Sequence, residues 1–347
     1  MVMTSVLTQG KIAGLKAVAN PRGVIAAAAL DQRGLLKKMM AKEMQAGEPT
    51  DAMVSEFKEI VTEALTRHAS AILLDVEFGL PALGHRNGKG AMLAYEKSGY
   101  DFTAPDFLPS LTEGWSVLRL REAGAAAVKI LLFYSPFADG WVNEQKKAWV
   151  ERIGAECRAL DMPLFLELLA YGVGEEESSL SYARRKPEIV IRSIEEFTAD
   201  RYGADVLKLE FPVRMQSVPG MQVYTGQQAY SRAEAAEHFR RAAAASTKPF
   251  VYLSAGVPNS AFIEGLEFAL ESGVEFHGVL CGRATWQGGV PIFVQQGPTA
   301  LRAWLETEGA ENISKVNKVL EAATPWQDRC SVKPAGSSRV LESISHS

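Results

Sequence analysis

Four side chains of chemistry-bearing type interrupt runs that are otherwise apolar. Lys208 lies in Asp205-Val206-Leu207-Lys208-Leu209-Glu210-Phe211-Pro212, and Lys129 lies in Ala127-Val128-Lys129-Ile130-Leu131-Leu132-Phe133-Tyr134. Glu167 sits inside Pro163-Leu164-Phe165-Leu166-Glu167-Leu168-Leu169, and Asp31 closes the run from Val24 to Leu30. Side chains alternate along a strand, so Val206, Lys208 and Glu210 share one face and Asp205, Leu207 and Leu209 the other. A lysine in such a run either snorkels to water from the strand end or occupies a built pocket.

In a pocket, two neighbouring lysines disfavour each other's charge, and one is driven toward the free amine. A free amine attacks a ketone and forms a Schiff base. The protonated imine is an electron sink, so the adjacent carbon–carbon bond can break without a metal. A carboxylate must then carry protons through carbinolamine formation, dehydration and departure of the hydroxyl, and Glu167 is of the right type. An internal salt-bridge network of Lys129, Lys208, Glu167 and Asp31 would use the same residues.

Two further stretches suit an anion. Ser254-Ala255-Gly256 and Gly282-Arg283 each follow an apolar run near the end of the chain. Glycine allows close backbone approach to a phosphate, and the guanidinium adds a bidentate charge. Arg86, Lys89 and Lys97 read as solvated surface charge ahead of a second phosphate site, and Cys281 as a small buried hydrophobe.

The elements that must position these groups alternate. Apolar strand-like runs occur at 24–30, 71–75, 91–95, 127–134, 163–169, 205–211, 250–253 and 277–280. Between them lie helical patterns, including Thr50 to Ser70, Asn143 to Leu160, a segment with Pro187 in its first turn, one opened by a Ser231/Glu234 capping box, and Asn259 to Ser272. Two more helices are expected at Pro298 to Thr307 and Asn312 to Ala323. Eight strands interleaved with helices predict an α/β fold closed as a (β/α)8 TIM barrel. Asp31, Lys129, Glu167, Lys208, Ser254 and Arg283 then converge at the C-terminal mouth, where the loops after strands 7 and 8 form the usual phosphate site. No GxGxxG follows an early strand, which argues against a dinucleotide-binding sheet. Residues 1–327 are expected to form one domain and 328–347 a disordered surface tail.

Composition agrees. The 347 residues are 47% hydrophobic and 22% charged, with a net charge of −4, so a nucleic-acid surface is not expected. Three cysteines without a CxxC pair fit a reducing, cytoplasmic setting. Five scattered histidines argue against a histidine-built metal site. No run of 18 apolar residues would span a membrane.

Six stretches carry a specific pattern: Ala29-Leu30-Asp31-Gln32-Arg33-Gly34, residues 72–81, Leu93 through Asp101, Asp205-Val206-Leu207-Lys208, residues 252–257, and Gly278 through Trp286. In these the chain resembles the class I tagatose 1,6-bisphosphate aldolases of bacteria. The resemblance spans about residues 20 to 327. It implies a Schiff-base lysine at Lys208, an acid/base glutamate at Glu167, and Lys129 and Asp31 beside them. It also implies a phosphate held by Ser254, Ala255, Gly256, Gly282 and Arg283, with Gln32 lining the pocket. The implied reaction cleaves tagatose 1,6-bisphosphate to dihydroxyacetone phosphate and glyceraldehyde 3-phosphate, with tolerance for stereoisomers and no metal or cofactor. The implied partners are a small phosphosugar and a second copy of the chain in a homodimer.

The loop around Gly84-His85-Arg86, the segment from Gly172 to Lys186 and the tail after Trp326 depart from the family pattern. These segments are expected to frame the mouth where the second end of the substrate would sit; no residue is assigned to reading that end. Rival readings are a related aldolase of sulfosugar phosphates, a metal-dependent enzyme on the same barrel, and a non-catalytic sugar-phosphate sensor.

Overall fold

The computed structural model describes residues 5–100 and 107–332. Eight parallel strands close a barrel: β1 (Ile25–Leu30), β2 (Ala71–Asp75), β3 (Gly90–Ala94), β4 (Ala127–Tyr134), β5 (Leu164–Ala170), β6 (Val206–Leu209), β7 (Phe250–Leu253) and β8 (Gly278–Cys281). β8 pairs back onto β1 through Ile25 and Gly278. All eight expected strands are present, each within about two residues of its predicted ends, the usual scatter of strand boundaries.

Alternation along these strands makes two cores. Inward-facing residues such as Ala27, Ala29, Leu73, Met92, Phe165, Val206, Val251 and Leu280 fill the barrel. Outward-facing residues such as Ala28, Ile72, Leu93, Val128, Leu166 and Leu207 meet the surrounding helices. The run Ile25-Ala26-Ala27-Ala28-Ala29-Leu30 reads as continuous apolar sequence because a barrel strand is buried on both faces.

The lower end is closed by α1 (Gln9–Val18), which the sequence patterns left unassigned. Its Ile12, Leu15 and Val18 join the barrel interior together with Trp326. Gly14 is required there, because a Cβ would overlap the Ala126 carbonyl and the Pro163 ring. Lys11 reaches the start of β6 and pairs with buried Asp205 at 2.8 Å, while Asp205 accepts the Leu164 N–H at 2.9 Å. Ser5–Leu7 pairs in parallel with Cys330–Val332, so the described start of the expected tail is a short turn, Trp326–Arg329, and a strand; this is a correction, since that stretch lies at the closed lower end and not at the mouth it was expected to frame. Residues 333–347, like Asp101 of the family motif, lie outside the described residues.

The outer helices include α2 (Gly34–Glu43), α3 (Asp51–Leu65), α4 (Val117–Glu122), α5 (Gly140–Ala159), α6 (Leu180–Phe197), α7 (Arg232–Ala245) and α8 (Asn259–Glu271). The capping box at α7 forms as expected: Ser231 N–H donates to Glu234 Oε2 at 2.7 Å, and Glu234 N–H donates to Ser231 Oγ at 3.3 Å. Pro187 is a correction. It lies inside α6, two turns beyond the start. Proline leaves the Ala183 carbonyl without its helical donor, and the Tyr230 hydroxyl donates to that carbonyl instead. The two expected C-terminal helices merge: Pro298–Trp304 continues through a π-helical turn, Leu305–Gly309, into Ala310–Val319. Among the described residues, no helix is long and apolar enough to cross a membrane.

Candidate active site

The C-terminal ends of the strands open into a cleft of about 590 Å³. Asp31, Gln32, Lys129, Glu167, Lys208, Ser254, Ala255, Gly256, Gly282 and Arg283 all line it, so every sequence-predicted site residue reaches one cavity. Lys208 and Glu167 are register partners on neighbouring strands β6 and β5. Both face inward, and Lys208 Nζ donates to Glu167 Oε2 at 2.8 Å.

Lys129 Nζ lies 2.8 Å from the same Glu167 oxygen. It also donates to Asp31 Oδ2 at 2.8 Å and to Glu96 Oε1 at 2.7 Å. An ammonium has three N–H donors, and here three carboxylates surround it. Burial disfavours the Lys129 charge, but Asp31, Glu167 and Glu96 outweigh it and hold its pKa well above the ordinary lysine value. Burial likewise acts to raise Asp31 and Glu167. The charges of Lys129 and Lys208 prevail, and both carboxyls end below the usual carboxylate range. The sequence argument, in which two lysines simply repel, is therefore refined. The two lysines meet through one shared carboxylate oxygen, and Asp31, Glu96 and Glu167 hold Lys129 in the charged state.

Glu96 was missed. It follows β3 by two residues and is buried at the cleft wall. The available signal was its place after a strand-like run, in Leu93-Ala94-Tyr95-Glu96-Lys97. Burial pushes its carboxyl above the usual range, opposed by Lys129 and Arg33.

On the other side of the mouth, β7 leads into Ser254-Ala255-Gly256 and β8 into Gly282-Arg283. Ala255 and Gly256 both take positive φ, +48° and +77°. An alanine in that region is uncommon and marks a tightly specified turn. A Cβ at Gly256 would collide with the Arg283 guanidinium, so glycine is what lets Arg283 lie across this loop. The Gly282 N–H reaches Ser254 Oγ at 3.4 Å, tying the two loops together. Burial lowers the Arg283 pKa, partly offset by Asp31 and Glu167. Trp286 Nε1 donates to the Ala29 carbonyl at 2.9 Å and fixes the β8 loop to β1. Cys281 is buried, and burial pushes its thiol up to about 12, which removes it as a nucleophile.

The expectation for the mouth loops divides. Glu177, Tyr182 and Lys186 of the 172–186 segment do line the cleft. The Gly84-His85-Arg86 loop does not, and this is a correction. It runs back down the barrel to the N-terminal end of β3, where Asn87 Nδ2 donates to Thr66 Oγ1 at 2.9 Å and Gly90 abuts the Ala17 carbonyl of α1. Arg86 donates to the carbonyls of Lys89 and Leu83, and of the three basic residues considered only Lys97 borders the cleft.

Comparison with known proteins gives a consistent result. Residues 25–288 match the model of the DeoC/LacD family aldolase. The chain is 49% identical over 323 residues to a tagatose 1,6-diphosphate aldolase of Listeria monocytogenes, covering 92% of this chain and 94% of that one. It is 48% identical over 322 residues to the tagatose 1,6-diphosphate aldolase of Staphylococcus aureus, covering 92% and 98%. It is 47% identical over 330 residues to tagatose 1,6-diphosphate aldolase 2 of Streptococcus pyogenes, covering 94% and 100%. Among solved structures, a fructose-bisphosphate aldolase of Plasmodium falciparum superposes with a TM-score of 0.64 at 13% identity, covering 93% of this chain and 99% of that one. That likeness concerns the fold.

Proposed function

Since the chain belongs to the DeoC/LacD family of aldolases, we propose that it is a Schiff-base enzyme cleaving tagatose 1,6-bisphosphate to dihydroxyacetone phosphate and glyceraldehyde 3-phosphate. The observation that carries this reading is Glu167 Oε2, 2.8 Å from Lys208 Nζ and 2.8 Å from Lys129 Nζ. One carboxylate oxygen can take a proton from the amine that attacks, while a fixed cation beside it steadies the developing charges.

In this reading Lys208 Nζ adds to the C2 ketone, and a proton passes to the carbinolamine oxygen. That oxygen leaves as water, and a protonated imine remains. Glu167 then takes the C4 hydroxyl proton. The C3–C4 bond breaks, glyceraldehyde 3-phosphate departs, and the bonding pair moves into the imine to give an enamine. Protonation at C3 and addition of water release dihydroxyacetone phosphate and restore Lys208. Lys129 is the electrostatic partner, because its pKa sits well above the lysine norm and it remains a cation throughout. Asp31, on the far side of Lys129, orients that cation and the substrate hydroxyls. Ser254, Gly256, Gly282 and Arg283 hold the phosphate of the dihydroxyacetone half.

Among the rivals, a sensor has no use for an amine paired to a proton shuttle. A metal site would need the three carboxylates that here converge on Lys129 Nζ. The test is borohydride trapping with dihydroxyacetone phosphate followed by peptide mass mapping. An adduct on Lys208 is expected. No adduct on any lysine would refute the Schiff-base reading, and an adduct on Lys129 would overturn the assignment of the two lysines.

A further inference from the structure

Glu167 Oε2 is claimed by two lysine Nζ atoms at once, and the balance between them decides how basic that oxygen is. Lys129 is also claimed from the other side by Asp31 and Glu96. Glu96 is placed with unusual rigidity for a loop residue. Its carbonyl accepts from Arg33 Nη2 at 2.8 Å and from Thr112 Oγ1 at 3.1 Å, and its backbone bridges to Leu111. The carboxyl so held uses one oxygen on Lys129. The other, Oε2, is buried and has no hydrogen-bond partner among the described residues.

We propose that Glu96 is a positioning residue of the aldolase centre: it competes with Glu167 for the Lys129 cation, so that Glu167 stays basic enough to move protons to and from Lys208 and the substrate. The proposal rests on the Schiff-base reading above. The groups that face the Glu96 carboxyl are Lys129 from β4, Asp31 and Arg33 following β1, and Tyr100 from its own loop. Glu167 from β5 is reached through Lys129. Removing the charge at 96 leaves Lys129 to settle on Asp31 and Glu167. Glu167 then becomes a weaker base, and the carboxyl whose pKa burial raises is gone. Both effects have the same sign: the acid limb of the rate profile moves to lower pH.

The test is kcat and KM of tagatose 1,6-bisphosphate cleavage as a function of pH for E96Q and E96D, alongside borohydride trapping of wild type. Glutamine keeps the size and can accept the Lys129 hydrogen bond, so a merely structural role is rescued by it. E96Q is expected to lose about tenfold or more in kcat with a much smaller change in KM, and to shift the acid limb down by about one pH unit. E96D, which keeps the charge, is expected to leave the limb where wild type has it. A wild-type profile in E96Q, a loss of kcat with an unmoved limb, or a shifted limb in E96D overturns the proposal. If E96Q does not fold, the E96D limb decides. Absence of a Lys208 adduct in wild type would instead overturn the Schiff-base reading itself.

Discussion

Lys208 Nζ and Glu167 Oε2 lie 2.8 Å apart because their residues are register partners on adjacent strands with side chains on the inner face. The pair is thus set by backbone hydrogen bonding of β5 to β6 and not by a flexible loop. A site carried on strands is held more tightly than one carried on loops.

Replacing Lys208 with alanine removes the proposed nucleophile. Cleavage of tagatose 1,6-bisphosphate should fall by about 10³-fold or more, and borohydride should trap no substrate on the protein. A Lys208→Ala protein that cleaves at the wild-type rate would contradict the mechanism.

Replacing Lys129 with methionine strips the shared cation from three buried carboxylates. Removing one partner of a buried ionic cluster costs about 3–5 kcal/mol, which urea unfolding near neutral pH would report. The pH dependence follows from the signs. In wild type, Asp31 and Glu167 sit below their unfolded-chain values of 3.8 and 4.5, so their stabilisation is complete above those values and is lost as pH falls. Lys129 sits above 10.5, so its contribution is complete below that value and is lost at higher pH. Without Lys129 the larger of the two lysine charges opposing burial is lost, so the carboxyl pKa values rise and the stability that these groups add near neutral pH shrinks. The stability gap between wild type and Lys129→Met should therefore narrow as the solution is acidified toward about pH 4.

Arg283 lies across Gly256 in the loop pair proposed to bind phosphate. Arg283→Ala should raise KM for the bisphosphate by about 10- to 100-fold, with a smaller effect on kcat, since the contact is made to a group remote from the reacting bond. Inorganic phosphate should inhibit wild type competitively and lose potency against the variant. A KM equal to wild type would place the phosphate elsewhere.

Lys11 and Asp205 form the corresponding buried pair at the closed lower end. Lys11→Met should destabilise the fold by about 3–5 kcal/mol, because Asp205 is left buried and unpaired. The kcat of the protein that remains folded should change little, since this face of a barrel serves stability and the opposite face chemistry. Thermal unfolding together with kcat per folded molecule separates the two; a large fall in kcat would show that the ends are coupled.

The barrel and most of the candidate site could be read along the chain. Eight short apolar runs separated by helical patterns can bury both faces of a strand only in a covered parallel sheet, and polar residues at the ends of those runs then share one rim. Period-2 alternation was enough to turn Lys208 and Val206 the same way, and the capping box at Ser231 was a local signal with a local outcome. Contacts between distant parts of the chain were set by the folded structure. Pro187 sits inside a helix because Tyr230, distant in sequence, supplies the donor that Ala183 lacks. The Gly84-His85-Arg86 loop resembles a mouth loop in composition, yet it runs to the bottom because Thr66 and α1 receive it there. The triple grip of Asp31, Glu96 and Glu167 on Lys129 joins residues within or just after four strands, spaced by up to 71 positions from one carboxylate to the next. Spacing along the chain carries no trace of that convergence, because it is closure of the barrel that brings those strands around one ammonium.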